Sequence, residues 1–343
     1  MHRLASLRTG LPAATIARAT VVSAGAFRPA VGTDEEKAWA DKTFGSLAPF
    51  CRVAATLTPS SDSDIRIEVW LPPGGWNGRF QGIGNGGFGG TIDYAALADA
   101  VAHGYAAAAS DTGHANPDAT DAAWALHHPE KIVDFGHRAI HEMTVAGKAI
   151  ARQFYGAAPR HAYFSSCSNG GRQALMEAQR YPEDYDGIIA GAPAYNWTGL
   201  FGLAGLAAKT LSDPAGYIPS SKLPAIEAAS LAACDLNDRV KDGVIENPAA
   251  CRLDAAGLLC DGTETDACLT APQVATLRTL YAGLEDDHTP MPGYSPGAEA
   301  GPGGWRLWIT GPKLESSWLF LFMTNFYKYM VFDDPAWDYR TFD

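Results

Sequence analysis

The chain has 343 residues, of which 47% are hydrophobic and 19% charged, and its formal net charge is −12. That acidic balance lacks the positive field that draws proteins to phosphate backbones, which argues against a nucleic-acid partner. The apolar share suffices for a real core and argues against disorder, while 36 glycines and 22 prolines predict many turns.

In chain order, His2, Arg3 and Arg8 make a basic start, but Thr15 and Arg18 interrupt the apolar run that a signal peptide needs. No signal peptide is evident, and residues 14–27 are predicted as the first strand or two. Ile65, Ile67 and Val69 alternate with Arg66 and Glu68, the period-2 pattern of a half-buried strand. The strand-like run 79–83 leads into a glycine-rich loop, Gly84 to Gly90. Asp93 to His103 is predicted as a helix stopped by Gly104, and residues 105–109 as a buried strand. Ile140, Met143, Ile150 and Phe154 recur at helical spacing over 137–155, and Gly156 closes that helix. A strand over 161–166, a helix over 172–181 and a strand-like run over 187–193 follow. Such alternation predicts an α/β architecture for residues 1–196: an open, mostly parallel sheet with helices on both faces.

From Trp197 onward the texture changes. Residues 197–343 are loop-rich and hold Trp305, Trp308, Trp318 and Trp337. A lid domain supplying apolar walls to a pocket fits this composition, and so does an ordinary second domain with its own aromatic core. The most apolar stretch, Trp318 to Phe332, carries Asn325 and Lys328 and is shorter than the ~20 residues of a membrane span, so no membrane partner is expected. Of six cysteines, Cys234, Cys251, Cys260 and Cys268 fall within 35 residues without CxxC spacing, which argues against a zinc ribbon. They fit local disulfides in an oxidising compartment or buried free thiols.

Three motifs carry chemistry. Ser166-Cys167-Ser168-Asn169-Gly170-Gly171 sits between a strand and a helix, where Ser168 would project its hydroxyl above the sheet edge and the Asn169 amide would offer an oxyanion donor. The usual G-x-S-x-G pattern has Ser166 in place of its first glycine. The loop Gly84 to Gly90 could supply the second donor through Gly86 or Gly87, could be a structural turn, or could cradle phosphate, although it lacks the lysine of a P-loop. Between Cys234 and Cys251, Asp235, Asp238 and Asp242 could turn three carboxylates toward a Ca2+ ion, or could form a solvated acidic loop.

The stretch from Tyr163 to Trp197, YFSSCSNGGRQALMEAQRYPEDYDGIIAGAPAYNW, resembles the tannase and feruloyl esterase family of α/β-hydrolases. GWNGRFQGIGNGG, SDTGH, HPEKIVDFGHRAIHEMT and the acidic cysteine-bounded loop resemble the same family. The resemblance implies an α/β-hydrolase fold with an inserted lid, and a serine ester hydrolase acting on small aryl or hydroxycinnamoyl (feruloyl- or galloyl-like) esters. It implies Ser168 as nucleophile of a Ser-Asp-His triad. It also implies a structural Ca2+ on the side chains of Asp235, Asp238 and Asp242 and the carbonyls of Val240 and Val244, and disulfides Cys234–Cys251 and Cys260–Cys268; the clustered cysteines and the basic start give the expectation of a secreted protein. Arg239 stands where the family has glycine. Family members place the acid and histidine after the lid, and none of the nine histidines here, the last being His288, lies in a matching context. His114, His127, His128, His137 and His141 are expected in structural or surface roles. The expectation is therefore a chain lacking the final strands, the acid and the histidine, with Cys167 and Cys51 unpaired. Its alternative reading is an inactive, calcium-stabilised fragment that at most binds aromatic ligands.

Overall fold

A computed structural model describes residues 7–30, 32–284 and 290–341, which leaves His2, Arg3 and His288 outside the described residues. The chain divides into two compact units, Met1–Tyr195 and Asn196–Asp343.

The first unit is built on a seven-stranded sheet. Its strands are β1 (Ala14–Val22), β2 (Phe50–Leu57), β3 (Ile65–Leu71), β4 (Arg79–Ile83), β5 (Ala106–Ser110), β6 (His161–Cys167) and β7 (Gly187–Gly191), in spatial order β1-β2-β3-β5-β4-β6-β7. Strands β5, β4, β6 and β7 run parallel, as the strand–helix alternation predicts. The first three strands instead form an antiparallel meander, and β3 meets β5 antiparallel. The connection from β2 to β3 is too short for the crossover that parallel pairing needs.

Among the described residues, the helices of this unit are α1 (Asp34–Phe44), α2 (Tyr94–Ala102), α3 (Pro129–Val133), α4 (Ala139–Tyr155) and α5 (Asn169–Arg180). Of these, α2, α4 and α5 pack directly on the sheet. A π-helical turn, Asp134–Arg138, joins α3 to α4. Thr33 and Glu36 form a capping box on α1, Asp93 accepts the Ala96 amide to start α2, and Gly156 closes α4 at φ 76°. Ile140, Met143 and Ile150 of α4 pack with Val53, Ile67, Val69, Phe80 and Phe164 in one core. Phe27, Phe44, Phe50, Trp70 and Leu97 form a second. That second core changes the reading of β3. Glu68, expected on a polar face, is buried, because Phe44, Trp70 and Leu97 cover its side of the sheet. Its carboxylate is held by a bidentate Arg52 and by the Trp70 indole N–H at 3.1 Å, so burial leaves no charge unpaired.

The second unit contains α6 (Trp197–Leu211), α7 (Leu223–Cys234), α8 (Ala271–Ala282), the antiparallel pair β8 (Gly283–Leu284) and β9 (Met291–Pro292), α9 (Trp305–Trp308) and α10 (Trp318–Asn325). Leu223, Ile226, Leu269, Leu277, Leu280 and Trp305 make its larger core, and Phe201, Met323, Tyr327 and Tyr339 a smaller one. Both disulfides implied by the resemblance, Cys234–Cys251 and Cys260–Cys268, are formed. Cys51 is buried and free, and Cys167 is exposed and free. Among the described residues, no helix is long and apolar enough to cross a membrane.

Candidate active site

Strand β6 ends at Cys167 and α5 begins at Asn169, so the whole turn between them is one residue. That residue, Ser168, is forced to φ 62° and ψ −122°, a conformation that L side chains rarely adopt. Hydrogen bonds hold it there. The Ser168 amide donates to the Gly191 carbonyl at 3.0 Å, and its own carbonyl accepts the amides of Ala194 and Arg172. Ser168 is half-buried, and Asn169, as the first residue of α5, has an amide without an intrahelical acceptor. A hydroxyl and a helix N-terminal amide are thus brought side by side.

The departure at Ser166 has a steric consequence. A β-carbon on Gly170 would lie 1.9 Å from the Ser166 hydroxyl, and one on Gly84 would lie 2.9 Å from the same oxygen and 2.9 Å from the Gly170 Cα. Ser166 therefore fills the space that two glycines leave, and the start of the glycine-rich loop abuts the serine turn. Gly86 is exposed and Gly87 half-buried. Gly87 has φ 55°, and a β-carbon there would meet the Ala119 carbonyl oxygen at 2.4 Å.

The loop is clamped from behind. The Phe88 amide donates to Ala119, and the Gly90 amide donates to the Asp111 carbonyl. His114 Nε2 donates to the Phe88 carbonyl at 2.8 Å, and its ring stacks on Trp124 at 3.8 Å. Burial depresses the His114 pKa to about 4, so the ring is neutral. Burial likewise pushes the Asp111 carboxyl up to about 7, although it accepts the Arg66 and Gly113 amides.

The other histidines are engaged elsewhere. His128 meets Asp62 at 2.8 Å, His137 meets the Tyr181 hydroxyl at 2.7 Å, and His141 meets Asp184 at 2.6 Å. Among the described residues, no side chain is hydrogen-bonded to the Ser168 hydroxyl.

Sequence reasoning named the Asn169 backbone amide but missed its side chain and the residues Asn85, Arg172 and Gln173 beneath the turn. Asn85, Asn169 and Gln173 are buried and bonded to one another, and Arg172 joins them through Asn169. On the same helix Glu177 is fully buried, with neither carboxylate oxygen bonded. A polar i, i+4 pair on a helix that opens with two glycines was the available signal, since such a helix packs too closely to leave its inner face to solvent.

In the second unit the acidic loop offers the hard oxygens that Ca2+ prefers. As folded, Asp235 Oδ1 accepts the amides of Asp242 and Gly243, Asp238 Oδ1 accepts Val240, and Asp242 Oδ1 accepts Val244. The side chains of Val240 and Val244 are exposed. The structure does not gather the three carboxylates, and among the described residues it forms no group of three or more metal-ligating side chains. Arg239 takes the left-handed φ of 75° that a glycine would adopt without strain.

A family model described as tannase and feruloyl esterase matches residues 51–340. A protein of Xanthomonas campestris pv. campestris described as an uncharacterized esterase is 42% identical over 95% of this chain and 56% of its own length. A probable feruloyl esterase B-2 of Aspergillus terreus is 33% identical over 86% of this chain and 55% of its own. The chain spans about half the length of the curated relatives it matches. Among solved structures, the feruloyl esterase B of Aspergillus oryzae superposes with TM-score 0.82 at 29% identity, covering 97% of this chain and 65% of that one. A tannin acyl hydrolase of Aspergillus niger, at TM-score 0.63 and 21% identity, shares the fold.

Proposed function

The chain belongs to the tannase and feruloyl esterase family, with the α/β-hydrolase fold, and from that premise we propose that it is a carboxylic ester hydrolase whose nucleophile is Ser168. The observation that carries this reading is the single-residue turn: a half-buried serine at φ 62°, between a strand and a helix N-terminus, beside a glycine-rich loop. In the reaction the Ser168 Oγ attacks the ester carbonyl carbon while its proton passes to a base. The amides of Asn169 and of Gly86 or Gly87 donate to the developing oxyanion. The alcohol leaves with the proton, and water then releases the acid from the acyl-serine. The resemblance implies that this base would be a carboxylate-oriented imidazole; His128, His137 and His141 are hydrogen-bonded elsewhere, and we assign the role to no residue named here. A planar aryl or hydroxycinnamoyl acyl group is the substrate class. Its support is the names of the relatives and the half-buried aromatics of the second unit, which we read as a lid.

Two accompanying readings are narrower. The pair of disulfides supports secretion into an oxidising compartment. The oxygen chemistry of Asp235, Asp238, Asp242 and the Val240 and Val244 carbonyls, and not their arrangement as folded, is what favours Ca2+ as the ion this loop would take.

A second reading is favoured by one observation, the absence of any side chain bonded to the Ser168 hydroxyl among the described residues. On that reading the chain binds aromatic esters without turning them over. A fluorophosphonate probe with methyl ferulate as substrate separates the two. The first predicts labelling at Ser168, hydrolysis, and a loss of at least about 1,000-fold in rate for Ser168→Ala. A hydrolytic rate that survives Ser168→Ala would overturn the assignment of the nucleophile, and a folded protein that neither labels nor hydrolyses would favour the second.

A further inference from the structure

An oxyanion site made from two distant chain segments works only if the segments stay in register to within a fraction of an ångström. Here the segments are the glycine-rich loop after β4 and the turn that opens α5, and apolar packing alone does not join them. Between them lies a buried amide cluster. The Asn85 amide donates to Gln173 Oε1 at 3.1 Å, and Gln173 Nε2 donates back to Asn85 Oδ1 at 2.9 Å. Asn169 Nδ2 donates to the same Asn85 Oδ1 at 3.2 Å. The Asn85 Nδ2 reaches the Ser110 carbonyl at 3.2 Å, which ties the loop to the end of β5 as well. Asn85, Asn169 and Gln173 are each at most 5% exposed.

Arg172 completes the arrangement. Its Nε donates to Asn169 Oδ1 at 2.7 Å, and its two terminal nitrogens donate to the carbonyls of Gly136 and Phe135 at 2.7 and 2.9 Å. Those carbonyls belong to the π-helical turn. There the Ala139 amide goes to the Asp134 carbonyl, shifting the helical pairing by one residue and presenting carbonyls to the guanidinium. Burial brings the Arg172 pKa down to about 10, so it remains charged at neutral pH. Burying a guanidinium and three amides is costly unless every group is paired, and an apolar cluster would pack the same volume with less demand on geometry. What directional bonds add is orientation.

We propose that Asn85, Gln173 and Arg172 are positioning residues that lock the glycine-rich loop to the serine turn, so that the amides of Asn169 and of Gly86 or Gly87 converge on one oxyanion. This rests on the reading of Ser168 as nucleophile. The clasp bears on the transition state more than on substrate binding, because the oxyanion forms only after attack.

The test uses the full chain, methyl ferulate and three variants. Gln173→Met removes both reciprocal bonds at similar length, Arg172→Lys keeps the charge and loses the fork, and Val53→Ala, in the sheet core, serves as a stability control. Thermal melts fix an assay temperature at which all are folded, and endpoint fluorophosphonate labelling counts competent sites. Gln173→Met and Arg172→Lys are expected to lower kcat per labelled site about 10- to 100-fold with KM changed less than about 2-fold, while Val53→Ala lowers only the melting temperature. Unchanged kcat in both clasp variants overturns the proposal alone, as does a kcat loss in Val53→Ala equal to theirs. A wild-type chain that neither labels nor hydrolyses overturns the nucleophile reading and this proposal with it.

Discussion

Glu177→Gln should stabilise the protein in alkaline solution and leave it nearly unchanged in acid. Glu177 lies on α5, fully buried, with both oxygens unbonded. Burial is the main cause of its perturbation, with Asp184 adding like charge and Lys148 opposing it, and together they push its pKa up to about 9. The unfolded carboxyl titrates near 4.5. Folding therefore takes up a proton throughout the window from about pH 4.5 to about pH 9, and stability falls as pH rises across it. Each unit of pH inside that window is worth about 1.4 kcal/mol, so the term amounts to roughly 4 kcal/mol between pH 5 and pH 8, an upper figure because a buried site relaxes. A glutamine side chain at this position would be neutral at every pH and would remove the slope. Urea unfolding of both proteins at pH 5, 6.5 and 8 measures the difference. Other groups titrate in both proteins and cancel: His141, whose bond to Asp184 raises its pKa, and Asp111 contribute equally to each curve. Parallel curves would refute the claim that Glu177 is buried as the neutral acid.

Gly170→Ala should cost about 3 kcal/mol and abolish fluorophosphonate labelling, because its β-carbon would lie 1.9 Å from the Ser166 hydroxyl. Ser166→Gly in the same chain should restore both folding and labelling, whereas no rescue would mean that the helix N-terminus is tight for another reason. For the acidic loop, EDTA should lower the melting temperature and Asp238→Asn should remove the effect. A melt unchanged at every chelator concentration would remove Ca2+ from the account.

The sheet and the serine turn are legible in the sequence because each rests on a local rule. The strand-like run 79–83 and the helix opened by Asp93 follow from period and capping, and the structure places them at Arg79–Ile83 and Tyr94–Ala102. The turn at Ser168 follows from a strand, small residues and a helix in sequence. Alternation misplaces Glu68 because it says which side chains share a face and not what covers the other one. The π-helical turn passes for ordinary helix, since hydrophobic spacing cannot register a one-residue shift in backbone pairing. The polar pair Asn169 and Gln173 is readable from its helical spacing, but its partner is not: Asn85 and Gln173 are 88 positions apart, and the parallel pairing of β4 with β6 brings them together.

Around α5 the first unit concentrates groups held away from their ordinary protonation behaviour. Glu177 is neutral by burial, Lys148 is lowered by burial, Arg172 is desolvated, and across the glycine loop His114 is held neutral. Perturbed groups of this kind often mark residues that exchange protons with a substrate. Here the hydrogen bonds argue otherwise for two of them. Arg172 spends its donors on Asn169 and the π-helical turn, and His114 donates to Phe88. Arg172 ties the start of α5 to the π-helical turn, and His114 holds the glycine-rich loop at Phe88. A strained serine at φ 62° persists only where its surroundings over-determine it, and polar bonds of fixed direction do that where Gly84, Gly170 and Gly171 leave little side chain to pack. The helix that carries the turn thus gives up stability at Glu177 while the buried bonds at its N-terminal end keep the turn in place. For that reason the alkaline stability gain of Glu177→Gln should come without a change in the rate at which Ser168 is labelled.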